Sequence, residues 1–136
     1  VSKLVIDTNV ALDLLVFADP AVQALRAALL NGQAVWLASV EMRAELGRVL
    51  DYPRVLPRLV ARGLNQSTVL LEFDQLTRTV PSAPPASCRC ADADDQPFID
   101  LAVQHGALLL SKDAAVLALL KPMRALGADA SPTWKA

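Results

Sequence analysis

ADADDQPFIDLAVQHGALLLSKD, Ala91–Asp113, holds three acids within four positions (Asp92, Asp94, Asp95), then an amphipathic segment, a short apolar run and a further acid. Gln96 to Gln104 has helical periodicity, and His105-Gly106 supplies a stop, because glycine readily takes the left-handed conformation that closes helices. Ala107–Leu110 (ALLL) is short, wholly apolar and bounded by turn residues, the pattern of a strand buried on both faces. Asp113 then caps a following helix, AAVLALL. A helix that returns into a buried strand and ends at an acid is one turn of an alternating α/β chain.

The preceding half repeats the alternation. Lys3–Ile6 is β-favouring and halts at Asp7-Thr8-Asn9, residue types that start helices. Val10–Phe17 is helical, and Asp19-Pro20 opens a second helix that runs to about Leu30 and closes at Asn31-Gly32. Ala34–Ala38 (AVWLA) is a second buried strand. Ser39 caps a helix from Val40 to about Leu50, which ends near Tyr52-Pro53 because the residue before proline avoids helical geometry. Arg54–Arg62 and Ser67–Arg78 predict two more helices. Pro81–Asp94, with three prolines, is an extended surface connection. Ala128–Ala130 is a final short strand. This order predicts an α/β fold with a mainly parallel sheet, as one domain over residues 1–136.

Composition narrows the function classes. Hydrophobic residues are 54% and charged residues 20%, well above the apolar content of disordered chains. A net charge of -1 argues against a constitutive duplex binder, yet a metal-dependent nuclease can hold phosphate through cations and a few local arginines. Cys88 and Cys90 lack the further Cys or His ligands that a zinc site needs, so they are expected to be reduced thiols. His105 reads as a helix-end residue. No apolar run approaches the ~20 residues that span a bilayer, and no basic segment followed by an apolar one opens the chain. A soluble, cytoplasmic protein without membrane contact is expected.

Residues just past the strands of a parallel sheet lie at its carboxyl edge, where ligands bind. Asp7 and Asp113 meet that condition. Asp94 and Asp95 open a helix returning toward ALLL and reach the same edge. At 3.6 residues per turn Asp95 aligns with Phe98, Ile99 and Ala102, while Asp100 is turned roughly 140° away and is expected to be solvated. In the helix after Ser39, Glu45 borders the apolar stripe of Met42, Leu46 and Val49, making it a fourth acid that must lean toward the rim. Each aspartate alone can be read as a helix cap. Together they repel: at about 5 Å and an effective dielectric near 20, each pair costs on the order of 3 kcal/mol. Such a group calls for a cation or altered protonation. An oxygen-only ligand set suits Mg2+ or Mn2+ and the hydrolysis of phosphodiesters.

The chain resembles the PIN-domain ribonucleases, in particular the bacterial group of toxin components of toxin-antitoxin systems. The matching pieces are VIDTNV at Val5–Val10, the Ser39–Leu50 segment with Glu45-Leu46, the Cys90–Ala102 segment with Asp92, Asp94 and Asp95, and SKD at Ser111–Asp113. The resemblance implies a three-layer α/β/α sandwich that cleaves single-stranded RNA at a divalent-metal site. It places Asp7, Glu45, Asp95 and Asp113 in the acidic quartet, with Asp94 and Asp92 as outer acids. Thr8, Asn9 and Ser111 match polar positions that hold ligands or water. Lys112, Arg43 and Arg89 are candidate phosphate contacts. Pro97 departs from the family's usual polar residue, and a first helical turn tolerates it. A cognate antitoxin protein and a homodimer are the partners the resemblance implies.

Other classes fit less well. A receiver domain needs a phospho-acceptor aspartate after a central strand, and its nearest candidate, Asp51, follows a helix. A haloacid-dehalogenase-type phosphatase needs an aspartate where Asn9 stands. A PIN-like module retained only for RNA or protein binding, and a housekeeping RNA-processing nuclease, stay open.

Overall fold

The structure, a computed structural model, describes residues 1–135. Strands Ser2–Ile6 (β1), Ala34–Ala38 (β2), Thr77–Thr79 (β3), Leu108–Leu110 (β4) and Asp129–Ser131 (β5) pair in the order β3-β2-β1-β4-β5, and every pair is parallel. Helices Thr8–Leu15 (α1), Gln23–Asn31 (α2), Val40–Val49 (α3), Leu56–Ala61 (α4), Gln66–Leu76 (α5), Gln96–His105 (α6), Ala114–Leu117 (α7) and Leu120–Ala125 (α8) fill the connections, with a 3-10 turn over Pro20–Val22.

Successive side chains on a strand point to opposite faces, so burial of both parities means both faces are covered. In β1, Leu4, Val5 and Ile6 are 0%, 0% and 3% exposed. The sheet is therefore sandwiched by helices. The chain winds outward through β1, β2 and β3, then returns to lay β4 on the other side of β1. With right-handed crossovers, the helices before and after that return fall on opposite faces. The winding direction reverses between β1 and β4, which leaves a crevice beyond their carboxyl ends. Trp36 on β2 anchors one layer, fully buried and edge-on to Phe73 of α5 at 5.1 Å between ring centroids.

Three expectations need correction. The helix predicted to reach Arg78 stops at Leu76, and Thr77–Thr79 becomes the edge strand β3, paired with Trp36–Ala38. An edge strand with two exposed residues of three carries no apolar alternation, so nothing in TRT announces it. The helix expected from Arg54 starts only at Leu56, leaving Arg54 in a turn. The segment AAVLALL is split between α7 and α8, because Pro122 has no N–H to donate and is accommodated in the first turn of a new helix. Gly106, at φ +60°, closes α6 as expected, and a Cβ there would lie 3.4 Å from the Gly127 carbonyl oxygen.

Candidate active site

The crevice between β1 and β4 is a cavity of about 240 Å³, and Asp7, Glu45, Asp92, Asp94, Asp95 and Asp113 all line it. Local chemistry explains how each arrives. Asp7, one residue past β1, caps α1: its Oδ1 accepts the Val10 amide at 2.9 Å. Asp113, three residues past β4, caps α7 by accepting the Ala115 amide at 2.8 Å. Capping engages one carboxylate oxygen and leaves the other, so a cap and a ligand are compatible roles for one aspartate. Glu45 leans in from α3 and accepts the Thr8 hydroxyl at 2.6 Å, which ties α3 to the start of α1. Ser111 is fully buried, and its hydroxyl accepts the Asp113 amide at 3.1 Å. Asn9 also lines the cavity.

Asp95 differs from both capping aspartates. It stands at the start of α6 but makes no side-chain capping bond, and its Oδ2 is buried without any hydrogen-bond partner. One oxygen each from Asp92, Asp95 and Asp113 lie within 4.8 Å of one another. Burial, then the adjacent Asp113 carboxylate, which can accept a hydrogen bond only from a protonated Asp95 and whose charge repels an ionised one, then the charges of Asp92 and Asp7, push the Asp95 carboxyl up to about 7. Burial also raises the Asp7 carboxyl, opposed by hydrogen bonds from Ser111 and Val10. A buried carboxylate oxygen with no donor, beside two further acids, is an anionic site short of positive charge. Its all-oxygen donor set fits a hard divalent cation.

A family model for the PIN domain matches residues 3–115. The chain belongs to the PIN-domain family. A comparison with curated protein sequences returns no significant match. PIN domains are generally nucleases that use divalent metals, and the acidic cluster of this PIN domain accords with that chemistry.

The tightest trio is not the expected one. Asp92, anticipated as an outer acid, joins Asp95 and Asp113, whereas Asp7 and Glu45 stand on the wall of the same cavity. Helical phase ranks residues only within a helix, and Asp92 sits in the turn before α6. There its Oδ1 accepts the Asp94 amide at 2.9 Å and its carbonyl accepts the Asp95 amide at 3.2 Å. Asp94 is exposed at the rim.

Asp100 is a second correction. It is not solvated: its side chain is 13% exposed, and Oδ1 accepts the Ala86 amide at 2.9 Å and the Gln96 amide group at 2.7 Å. The face of α6 that turns away from the sheet is covered by the proline-rich connection. Gln96, which no sequence motif singles out, is 5% exposed; its side chain also accepts the Cys90 amide at 2.6 Å and donates to the Cys88 carbonyl at 3.0 Å. Cys88 and Cys90 are free thiols whose backbone matters here.

The candidate phosphate contacts separate. Arg43 lies two residues before Glu45, about 200° round α3, and forms a bidentate pair with Asp74 of α5 at 2.7 and 2.9 Å. Arg89 is held 3.9 Å from Asp100. Neither lines the acidic cavity or the cleft beside it. Lys112 does line that cleft, ion-paired with Asp13. Two residues with no sequence signal, Tyr52 and Arg54, complete the cavity wall from the turn after α3.

Among the described residues no helix is long and apolar enough to cross a membrane.

Proposed function

We propose that this PIN domain is a divalent-metal-dependent endoribonuclease that hydrolyses single-stranded RNA in the cytoplasm as the toxin of a toxin-antitoxin pair. The observation that carries the reading is the partnerless buried oxygen of Asp95, set against Asp92 and Asp113 at the crevice between β1 and β4. Asp92, Asp95 and Asp113 would hold the ion, Mg2+ or Mn2+, with Asp7 and Glu45 beside it and Asp94 at the rim. When bound, such an ion stabilises charge developing on a phosphoryl oxygen and acidifies water. The chain's own residues supply order. Val10 and Ser111 donate to Asp7 and steady its carboxylate, and the Thr8 hydroxyl donates to Glu45 and holds it toward the start of α1. The motif order from Val5 to Asp113 supports the toxin role, and with it a cognate antitoxin protein and a homodimer.

Purified protein is expected to cleave single-stranded RNA with Mg2+ or Mn2+ and to be silenced by chelator. Asp7→Asn and Asp95→Asn should each abolish cleavage with the fold retained, since asparagine at position 7 still offers an oxygen to the Val10 amide. Wild-type-like cleavage by either variant would overturn the site. Growth arrest on expression, relieved by a neighbouring gene's product, tests the toxin role; robust nuclease activity without arrest would instead favour RNA processing.

A further inference from the structure

Beside the acidic cavity lies a second cleft, of about 320 Å³, which shares Asp7, Asn9, Arg54 and Asp113 with it and adds Asp13, Phe17 and Lys112. The two are therefore continuous. Their charges are opposed in arrangement. The side of the acidic cavity formed by the turn before α6 carries Asp92 and Asp94, and Arg89 of the preceding connection does not line it but lies 3.9 Å from Asp100. The side toward the second cleft carries Arg54 and Lys112. Among the residues lining the two cavities, the cations that a polyanionic strand would meet are Arg54 and Lys112.

The cations are poised for an anion. Among the described residues no carboxylate comes within ion-pair distance of Arg54, whose guanidinium makes one long contact, 3.5 Å, to the Asn9 side-chain oxygen. Lys112 is positioned by Asp13, and an ammonium has three N–H donors, so others stay free. Phe17 gives the cleft an aromatic wall. The Arg58 guanidinium lies over its ring, 4.3 Å from the centroid, and the ring packs against the core, so it is held in place where it lines the cleft. A phosphate clamp next to an aromatic surface is the pairing by which single-stranded nucleic acid is held without sequence readout.

We infer that this cleft seats the nucleotide next to the scissile bond, with Arg54 and Lys112 on its phosphate and Phe17 against its base. The inference rests on the nuclease reading, and the experiment separates the two. Anisotropy of a fluorescent single-stranded RNA is titrated with the cleavage-silent Asp7→Asn protein in Mg2+ at several salt concentrations, each further substitution being added to that background. Arg54→Ala and Lys112→Ala are each expected to weaken binding about tenfold and to reduce the slope of log affinity against log salt by about 1. Phe17→Leu, which keeps an apolar side chain against the core, should weaken binding about tenfold with the slope unchanged. Inorganic phosphate should compete for the RNA equally with Phe17→Leu and poorly with Arg54→Ala. Unchanged affinity and slope in both cation variants would overturn the inference and leave the nuclease reading standing. Failure of the parent protein to bind RNA, together with failure of the wild type to cleave it, would overturn both.

Discussion

Carboxylates reach the cavity from two kinds of backbone. Asp7 and Asp113 follow central parallel strands and are fixed by the amides of the helices they cap, so their positions come with the fold itself. Asp92 and Asp95 arrive at the end of a proline-rich connection with no strand or helix of its own between Thr79 and Gln96. That connection is tethered by side chains: Gln96 grips Cys88 and Cys90, and Asp100 grips Ala86. One half of the site is held by secondary structure, the other by a buried polar strut. The difference says where the site is fragile: removing a cap costs one hydrogen bond, whereas removing the strut releases the segment that carries two of the three clustered acids.

The largest effect should come from breaking the strut. Gln96→Ala leaves the Cys90 amide, the Cys88 carbonyl and Asp100 short of partners in a buried setting, a loss of about 1–3 kcal/mol for each group left unsatisfied. Supports of this kind typically change metal affinity or activity by about 10- to 100-fold. Mn2+ affinity measured calorimetrically, well below the variant's melting temperature, separates loss of positioning from loss of fold. Wild-type affinity in a folded Gln96→Ala protein would show that the connection holds Asp92 and Asp95 unaided.

The same contrast explains what the sequence conveys. The parallel sheet and the convergence of Asp7, Glu45, Asp95 and Asp113 on one cavity are legible, because strand-then-acid spacing and helical phase are local signals. Asp100 is misread by the same phase argument, which knows where the sheet lies but not that residues 81–95 cover the opposite face of α6. Asp92 is under-ranked because a turn has no period. Gln96 and Arg54 leave no trace in the pattern: one acts through contacts to a neighbouring segment, and the other matters only because the turn after α3 falls beside β1. β3 escapes because an edge strand with a single neighbour needs no apolar face.

Next in size is the effect of pH, which reads chiefly the half that carries Asp95, with a further contribution from the raised carboxyl of Asp7. The Asp95 carboxyl, ordinarily near 3.8, is raised to about 7 in the folded protein without an ion. Between those values the folded state binds more proton than the unfolded state, so stability falls as pH rises through this window and levels off above it. Thermal melts in chelator should show that decline, and Asp95→Asn should lessen it, leaving the part due to Asp7. Metal binding must displace the proton, so Mn2+ affinity should rise by up to about tenfold per pH unit below about pH 7 and then plateau. Affinity independent of pH between about 5 and 7 would show that Asp95 is already ionised before the ion binds.

The smallest effect belongs to the half held by caps, where two terms of opposite sign meet at Asp113. Its Oδ1 accepts the Ala115 amide, and loss of such a cap costs about 1 kcal/mol. Its charge also repels an ionised Asp95, and removing that charge relieves the repulsion in the protein without metal. Asp113→Asn keeps an oxygen for the Ala115 amide and removes the charge, so in chelator near neutral pH it should melt above wild type. Asp113→Ala removes both cap and charge and should fall below Asp113→Asn by about the value of the cap. Both should bind Mn2+ poorly. Were the two variants to melt together, the cap would contribute nothing, and the carboxyl edge would depend on its strands alone.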